Sequence, residues 1–308
     1  GPIIKNKVFY FLSMEQQRDQ TPQPYDFSTY LGNTKTSAGI QSLVDFVRNT
    51  YQYDMGEYLQ TTRKLDVNRV SAKIDWNLNA KNRLSISYRL NDAKATNPSL
   101  SSATTINFSN AAVYFPSKTN SVSIELKSSV GKSASNKLLF TYTNVRDDRG
   151  IVGNPFPRVT LRDGSGSIVF GSENSSTQNL LLQKNLSLVD NYKFTVKKHS
   201  MTLGFDFEHF NDLNVFIQNT YGNYTYNTIG TTSGVTNFMN TTTPVAPSAY
   251  SLGFSLVDNL KDDNSAAAAK FKVAKLAMYW NDEVRVNDNF TINYGIRGDW
   301  YKFINTPA

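Results

Sequence analysis

The stretch Arg69-Val70-Ser71-Ala72-Lys73-Ile74-Asp75-Trp76-Asn77-Leu78 divides into two sets at alternate positions. Val70, Ala72, Ile74, Trp76 and Leu78 occupy one parity, and Arg69, Ser71, Lys73, Asp75 and Asn77 occupy the other. A period of two marks a β-strand whose faces meet different surroundings. Asn79-Ala80-Lys81-Asn82 then supplies a turn, after which Leu84, Ile86, Tyr88 and Leu90 alternate with Ser85, Ser87, Arg89 and Asn91. The two runs form a hairpin.

Three more hairpins follow the same pattern. Val122, Ile124 and Leu126 lead through a turn near Gly131 to Asn136 into Leu138, Phe140 and Tyr142. Leu186, Leu188, Tyr192, Phe194 and Val196 share a parity interrupted by Asp190; Lys197-Lys198-His199 precedes Leu203, Phe205 and Phe207. A run from Leu276 to Val286 turns at Asn287-Asp288-Asn289 into Phe290, Ile292, Tyr294 and Ile296. With a first strand near Val8 to Gln17, nine long strands of roughly 10–14 residues are expected, matching the roughly 9–11 tilted residues that cross a bilayer. Short strands are expected at Thr104 to Phe108 and Phe216 to Tyr226.

The connections are unequal. The four turns are short, whereas residues 92–120, 145–181 and 212–270 are long and rich in Asn, Thr, Ser, Gly and Pro. Because each hairpin reverses direction, every short turn falls at one end of the strands and every long connection at the other. An antiparallel transmembrane β-barrel sorts its connections this way, with short periplasmic turns, long extracellular loops, and strands apolar toward lipid and polar toward the lumen. Trp76, Tyr88, Tyr142, Tyr192, Trp300 and Tyr301 are expected near strand ends, at the two membrane interfaces. Gly1-Pro2-Ile3-Ile4 and Asn305-Thr306-Pro307-Ala308 begin and end abruptly, and the odd strand count agrees with a piece of a larger barrel. Residues 1–308 are therefore expected to form a single partial β-barrel domain.

Composition removes other classes. The 308 residues hold 32 Lys+Arg against 25 Asp+Glu, a net charge of +7, with no Cys and two His. No disulfide, thiol nucleophile or thiolate zinc site can form. Apolar runs such as Val8 to Leu12 fall far short of a membrane helix. The scattered charge offers no nucleic-acid surface.

Catalytic and metal constellations are not found in the sequence. His199 falls in a turn beside two lysines, where a solvated interfacial place is expected. His209 has parity opposite to Asp206 and Glu208, so it points away from both, and no metal site is expected there. Asp147-Asp148 and Asp262-Asp263 fall in expected loops without the spaced pattern of a calcium loop. Gly164-Ser165-Gly166 reads as a flexible turn. Ser37 to Tyr53 has helical spacing at Ile40, Leu43, Val44 and Val47 but also fits a structured loop. Neither enzyme activity nor a cofactor is expected. The polar parity supplies the functional candidates: Arg69, Lys73, Asp75, Arg89, Asp206, Glu208, Arg285, Arg297 and Asp299 are expected to face the lumen. Substrate contacts are expected in the aromatic loops, at Tyr221, Tyr224, Tyr226, Phe108 and Tyr114, where stacking suits glycans and chelates.

Gly1 to Phe11, the following Glu15-Gln16-Gln17-Arg18, and Leu276-Ala277-Met278-Tyr279-Trp280-Asn281-Asp282-Glu283-Val284 leading to Asn289 through Trp300 resemble barrel segments of TonB-dependent outer-membrane receptors. The closest likeness is to the Bacteroidetes subgroup with a carboxypeptidase-regulatory-like domain before its plug. That resemblance implies a barrel of about 22 strands closed by a plug. It also implies an outer-membrane location in contact with lipid, energy supplied through TonB, a surface lipoprotein partner, and import of an iron chelate, vitamin, glycan or peptide. A TonB box and a plug domain are not found in these 308 residues. Two other readings remain at this point: a structural or accessory barrel of a secretion or adhesion complex, and a soluble β-rich binding module with its apolar parity buried against a second sheet.

Overall fold

The computed structural model describes residues 1–257 and 265–305. In chain order its strands are β1 (Pro2–Ile4), β2 (Val8–Pro24), β3 (Gln60–Asn77), β4 (Asn82–Asn97), β5 (Thr105–Asn107), β6 (Val113–Val130), β7 (Ala134–Arg149), β8 (Arg158–Asp163), β9 (Gly166–Phe170), β10 (Gln178–Val196), β11 (His199–Ile217), β12 (Asn223–Tyr226), β13 (Ala249–Ser251), β14 (Ala269–Asn287) and β15 (Phe290–Phe303). Two α-helices, α1 (Ser37–Tyr51) and α2 (Gly234–Met239), lie in the connections.

Ten strands form one antiparallel wall in the order β1-β2-β3-β4-β6-β7-β10-β11-β14-β15. The registers place one residue per strand in a continuous row: Tyr10, Ile74, Ile86, Ile124, Phe140, Leu188, Phe207, Leu276 and Trp300. All nine are apolar. One residue along, on the opposite face, runs Phe11, Lys73, Ser87, Ser123, Thr141, Ser187, Glu208, Lys275 and Tyr301. A one-residue slip at any hairpin would mix these rows, so the alternation fixes the register.

Among the described residues, no second sheet covers the apolar row. Ile74, Trp76, Ile86, Ile124, Leu203 and Ile296 are all exposed, which overturns the sandwich reading. Among the described residues the sheet also ends in two open edges, since β15 pairs only with β14 and most of β2 pairs only with β3. Hydrocarbon cannot satisfy an open edge, so both must pair further when the wall sits in a membrane.

The nine long strands are confirmed, and they run for 14 to 19 residues, all but β15 longer than expected. Their loop-side ends continue beyond the apolar band with polar residues on both faces, where the period-two signal fades. For the same reason Asp147 and Asp148 lie within β7 instead of a loop. Tyr88 and Tyr142 stand in mid-strand, and Trp300 is followed on its face by Lys302, so these rings mark the edge of the apolar band, not the strand ends. The Phe216 to Tyr226 strand is also corrected: Phe216 belongs to β11, which ends at Ile217, and only Asn223–Tyr226 form β12.

The long connections fold together into a cap. Its five-stranded sheet has the order β13-β12-β8-β9-β5, with β12 parallel to β8 and β5 parallel to β9. Helix α1 begins where the Thr36 hydroxyl accepts a hydrogen bond from the Gly39 N–H and ends at Gln52 in the left-handed region (φ 54°). It buries Ile40, Leu43 and Val47. These meet Ile106, Phe108, Val159, Leu161, Ile168, Phe170 and Val235. Each of the four long connections contributes to that core. Gly164 to Gly166, expected to be flexible, forms the tight turn between β8 and β9, with Gly164 at φ 62°.

Candidate functional site

All nine polar candidates lie on the face opposite the apolar row, and the structure divides them into separate groups. In the largest, Arg297 donates to Asp299 through Nε and Nη2 at 2.9 Å each and to Asp206 through Nη2 at 3.1 Å. Lys275 Nζ donates to Glu208 Oε2 at 3.0 Å. The registers Asp206↔Ala277↔Asp299 and Glu208↔Lys275 bring these side chains together across β11, β14 and β15. Asp206, Glu208, Arg297 and Asp299 thus belong to one five-membered network with Lys275.

Tyr279 supports this network from beneath. A Cβ on Gly204 would stand 1.9 Å from the Tyr279 ring, so the bare glycine lets the ring lie flat on β11. Tyr279 Oη donates to Asn191 Oδ1 at 2.6 Å, and the Arg297 guanidinium sits 5.2 Å from the ring centroid. A cation over an aromatic face is held without losing its forward hydrogen bonds. Lys275, Tyr279, Asn191 and Gly204 were not among the sequence candidates. A glycine inside a strong strand pattern was the one available signal.

The remaining candidates stand apart. Arg69 Nη1 pairs with Glu15 on the neighbouring strand. Lys73 and Arg83 pair with Asp75 at 3.0 and 3.3 Å. Arg285 pairs with Asp288 at the last turn, at 3.0 Å. Arg89 forms no ion pair among the described residues. The two histidines both occur on the apolar face: His209 lies opposite Leu186 and Ala274. His199, expected to be solvated in a turn, instead begins β11, and its Nδ1 stands 2.7 Å from the buried Asp282 carboxylate. Tyr294 Oη donates to the same oxygen at 2.9 Å. Asp282 lies within the apolar parity of β14 and so shares a face with His199, and the register that sets His199 opposite Val284 and Met201 opposite Asp282 brings the two side chains together.

The aromatic loop candidates are dispersed as well. Phe108 is 1% exposed and packs 5.3 Å from Tyr58, so its ring belongs to the cap core and cannot meet a ligand. Tyr226 packs edge-on against Phe238, and Tyr114 is half-buried at the start of β6. Tyr221 is exposed, and Tyr224 pairs with the exposed Tyr250 at 4.7 Å. Tyr221, Tyr224 and the unanticipated Tyr250 therefore belong to the accessible aromatic surface of this connection, to which the exposed Phe254 also contributes.

Burial governs the cap's ionisation. Tyr53, 3% exposed and stacked 4.1 Å from Phe156, has its phenol pushed up to about 12 by desolvation. Tyr30 is raised still further, first by burial and then by the neighbouring Asp163 carboxylate. Asp163 accepts from Tyr30 Oη at 3.2 Å and from the Thr34 N–H at 2.8 Å, tying the first connection to the β8–β9 turn. No group of three or more His, Asp or Glu side chains able to hold a metal occurs among the described residues. Asp262-Asp263 lie outside the described residues.

An open antiparallel wall, an uncovered apolar band, short turns at one end and a folded cap at the other define an outer-membrane barrel segment. Residues 31–307 match the outer membrane β-barrel domain, and the chain belongs to that family, whose place is the bacterial outer membrane. Among solved structures it is similar to the outer membrane transporter YddB of Escherichia coli, at 10% identity and TM-score 0.57, covering 99% of this chain and 33% of that one. The ferric-catecholate import receptor Fiu of E. coli, in its open form, gives 13% identity and TM-score 0.55 over 97% and 41% of the two chains. A mutant of the ferric enterobactin receptor of Pseudomonas aeruginosa gives 10% identity and TM-score 0.52 over 98% and 35%. This chain thus spans a third to two-fifths of the length of these structures. No curated protein matches it.

Proposed function

We propose that residues 1–308 form part of the barrel of a TonB-dependent importer that carries a scarce or bulky nutrient across the outer membrane without covalent catalysis. The observation that carries this reading is the polar wall face, with the Arg297–Asp206–Asp299–Lys275–Glu208 network on its last three strands. Mixed fixed charges of this kind hydrate a lumen and offer ion-pair partners to a plug or a charged solute. Arg69, Lys73, Asp75, Arg89 and Arg285 line the same passage. Tyr221, Tyr224 and Tyr250 offer stacking surfaces at the loops for a glycan, peptide or aromatic chelate. TonB acts through a segment outside these residues, and a surface lipoprotein assists capture at the cap.

The test is genetic. A strain lacking the complete protein and a strain lacking TonB are grown on a panel of ferric chelates, vitamins, glycans and peptides as limiting nutrients. Both strains should lose growth on the same member of the panel, and Arg297→Ala should reduce uptake of that nutrient. If deletion of the complete protein leaves growth unchanged on every nutrient that needs TonB, the import reading fails.

A further inference from the structure

Toward the cap, the outward face of the wall divides into two sectors. Followed from the apolar row, the first outward polar side chain other than tyrosine is Gln16 on β2, Asn68 on β3, Asp92 on β4, Asn120 on β6 and Asn144 on β7. On the next four strands it is Lys184, His209, Lys272 and Lys302. Five strands thus offer amides and a carboxylate, and four consecutive strands offer bases. Lys270 follows Lys272 on the same face. Lys184, Lys270, Lys272 and Lys302 are exposed, and none has a carboxylate oxygen within 4.0 Å among the described residues. The outward carboxylates of these strands and of β7 are already engaged: Asp148 with Arg146, Asp190 with Asn136, and Asp282 with His199 and Tyr294.

The depth of these bases specifies a partner. On β14 and β15 the outward apolar run lies toward the turns, from Ala274 to Val284 and from Trp300 back to Phe290. Each run is about 23 Å tall for a strand tilted by about 45°, which fills the roughly 25 Å apolar band of an outer-membrane barrel. Lys272 and Lys302 come directly after the cap-side end of that run and stand at the edge of the hydrocarbon. Lys184 and Lys272 flank Asn211 in one row, about 10 Å apart. Asn211, Leu213, Lys270, Lys272 and Ile304, all at outward positions, line a recess of about 500 Å³ with Asn305 and the inward-parity Asp212 and Phe271. Asp212 is 7% exposed, and its parity places its carboxylate on the polar face with Asp206 and Glu208. Lysine stems lie along an apolar wall while their heads reach phosphate oxygens. A water-soluble partner meets the molecule above this layer, at the cap, so the anion at this depth is a lipid headgroup.

We propose that Lys184, Lys270, Lys272 and Lys302 form a site for the phosphorylated headgroup of a lipid in the cap-side leaflet, whose acyl chains lie on Leu186, Leu188, Leu276 and Trp300. The complete protein is placed in nanodiscs of phosphatidylcholine containing diphosphoryl lipid A and extracted into mild detergent, and the lipid A retained per protein is counted by native mass spectrometry. The wild type should retain about one molecule. Lys184→Gln, Lys270→Gln, Lys272→Gln and Lys302→Gln together should lower retention about tenfold or more, and the four Arg replacements should preserve it. Arg18→Gln, Lys64→Gln, Lys94→Gln and Lys118→Gln, which remove outward cations of the other sector, should leave retention unchanged. A thermal midpoint in pure phosphatidylcholine shared by the four proteins establishes that they fold alike. Equal retention in the wild type and the first Gln variant would overturn the proposal, as would no retention in the wild type. Equal losses in the two Gln variants would also overturn it, by reducing the effect to net charge. Lysine-dependent retention of soluble polyglutamate without lipid A would overturn it as well and assign this face to an acidic protein.

Discussion

The wall and the cap use apolar side chains in opposite ways. In the wall, Ile74, Ile86, Ile124 and Ile296 point outward and are exposed; in the cap, Ile40, Ile106 and Ile168 are at most 1% exposed. The same residue type therefore serves two solvents. The cap is a water-soluble fold that closes its own core, whereas the wall leaves its apolar face for hydrocarbon and satisfies its backbone between strands. Exposure, which marks a residue as replaceable in the cap, marks it as lipid-facing in the wall. Stability experiments on the two regions should diverge accordingly.

Removing a cap core ring should have the largest effect. Phe170 is fully buried and lies 5.8 Å from Phe238 and 6.2 Å from Phe156. Phe170→Ala should cost about 3–5 kcal/mol through lost burial and an unfilled cavity. Limited proteolysis in the complete protein should then cleave within residues 25–59 and 150–177, while the wall's β-sheet circular dichroism is retained. If wall and cap unfold together, the two regions are not separate cooperative units.

A charge in the wall's apolar row should come next. Ile124 is 37% exposed in the row described above, and an arginine at such a position in a water-soluble sheet would be nearly neutral. Facing hydrocarbon at mid-depth, Ile124→Arg should cost about 2–4 kcal/mol. Chemical denaturation of the complete protein refolded in lipid vesicles measures this. A loss under about 0.5 kcal/mol would mean that water, not lipid, bathes this face.

The unequal legibility of the two regions in the sequence has the same physical origin. The wall is specified by neighbours: alternation of Val70, Ala72, Ile74 and Trp76 fixes their face, and the turn fixes the register with Leu84 to Leu90. Both are local. The cap is specified by segments as distant as Ile40 and Phe170, whose association no period reveals. Phe108 illustrates the cost, since an aromatic in an Asn-rich segment reads as a ligand platform until the packing of four connections shows it to be core. The charged network was half visible. Parity placed Asp206, Glu208, Arg297 and Asp299 on one face, but only the three-strand register brought them within hydrogen-bond distance. It also brought in Lys275 and Tyr279.

Alkali should separate the regions without mutation. Tyr53 ionises near 10.0 in an unfolded chain and near 12 in the folded cap. A phenol raised on folding contributes stability that is complete below about pH 10 and lost as pH rises toward about 12. A displacement of that size corresponds to on the order of 3 kcal/mol at full titration. Amide exchange at α1 should therefore accelerate between about pH 10 and 12 relative to the same interval in Tyr53→Phe. Amides of β6 and β7, which lack this residue, should show no difference between the two proteins.

The smallest effect should come from Arg297. Its guanidinium bridges Asp206 and Asp299 and lies over Tyr279, but it is about 40% exposed on the wet face. Ion pairs in such surroundings contribute about 0–1 kcal/mol, because water already solvates each partner. Arg297→Ala should thus leave the denaturation midpoint of the complete protein nearly unchanged. It also leaves Asp206 and Asp299 facing each other with Lys275 as the nearest cation, which alters the field along the passage far more than the fold. The separation of the two effects is the test: uptake should fall while stability holds, and adding Asp206→Asn should restore part of the lost uptake by removing one uncompensated charge. A stability loss of several kcal/mol would show that the network is a structural brace, making the polar face closer in character to the cap core than to a hydrated lining.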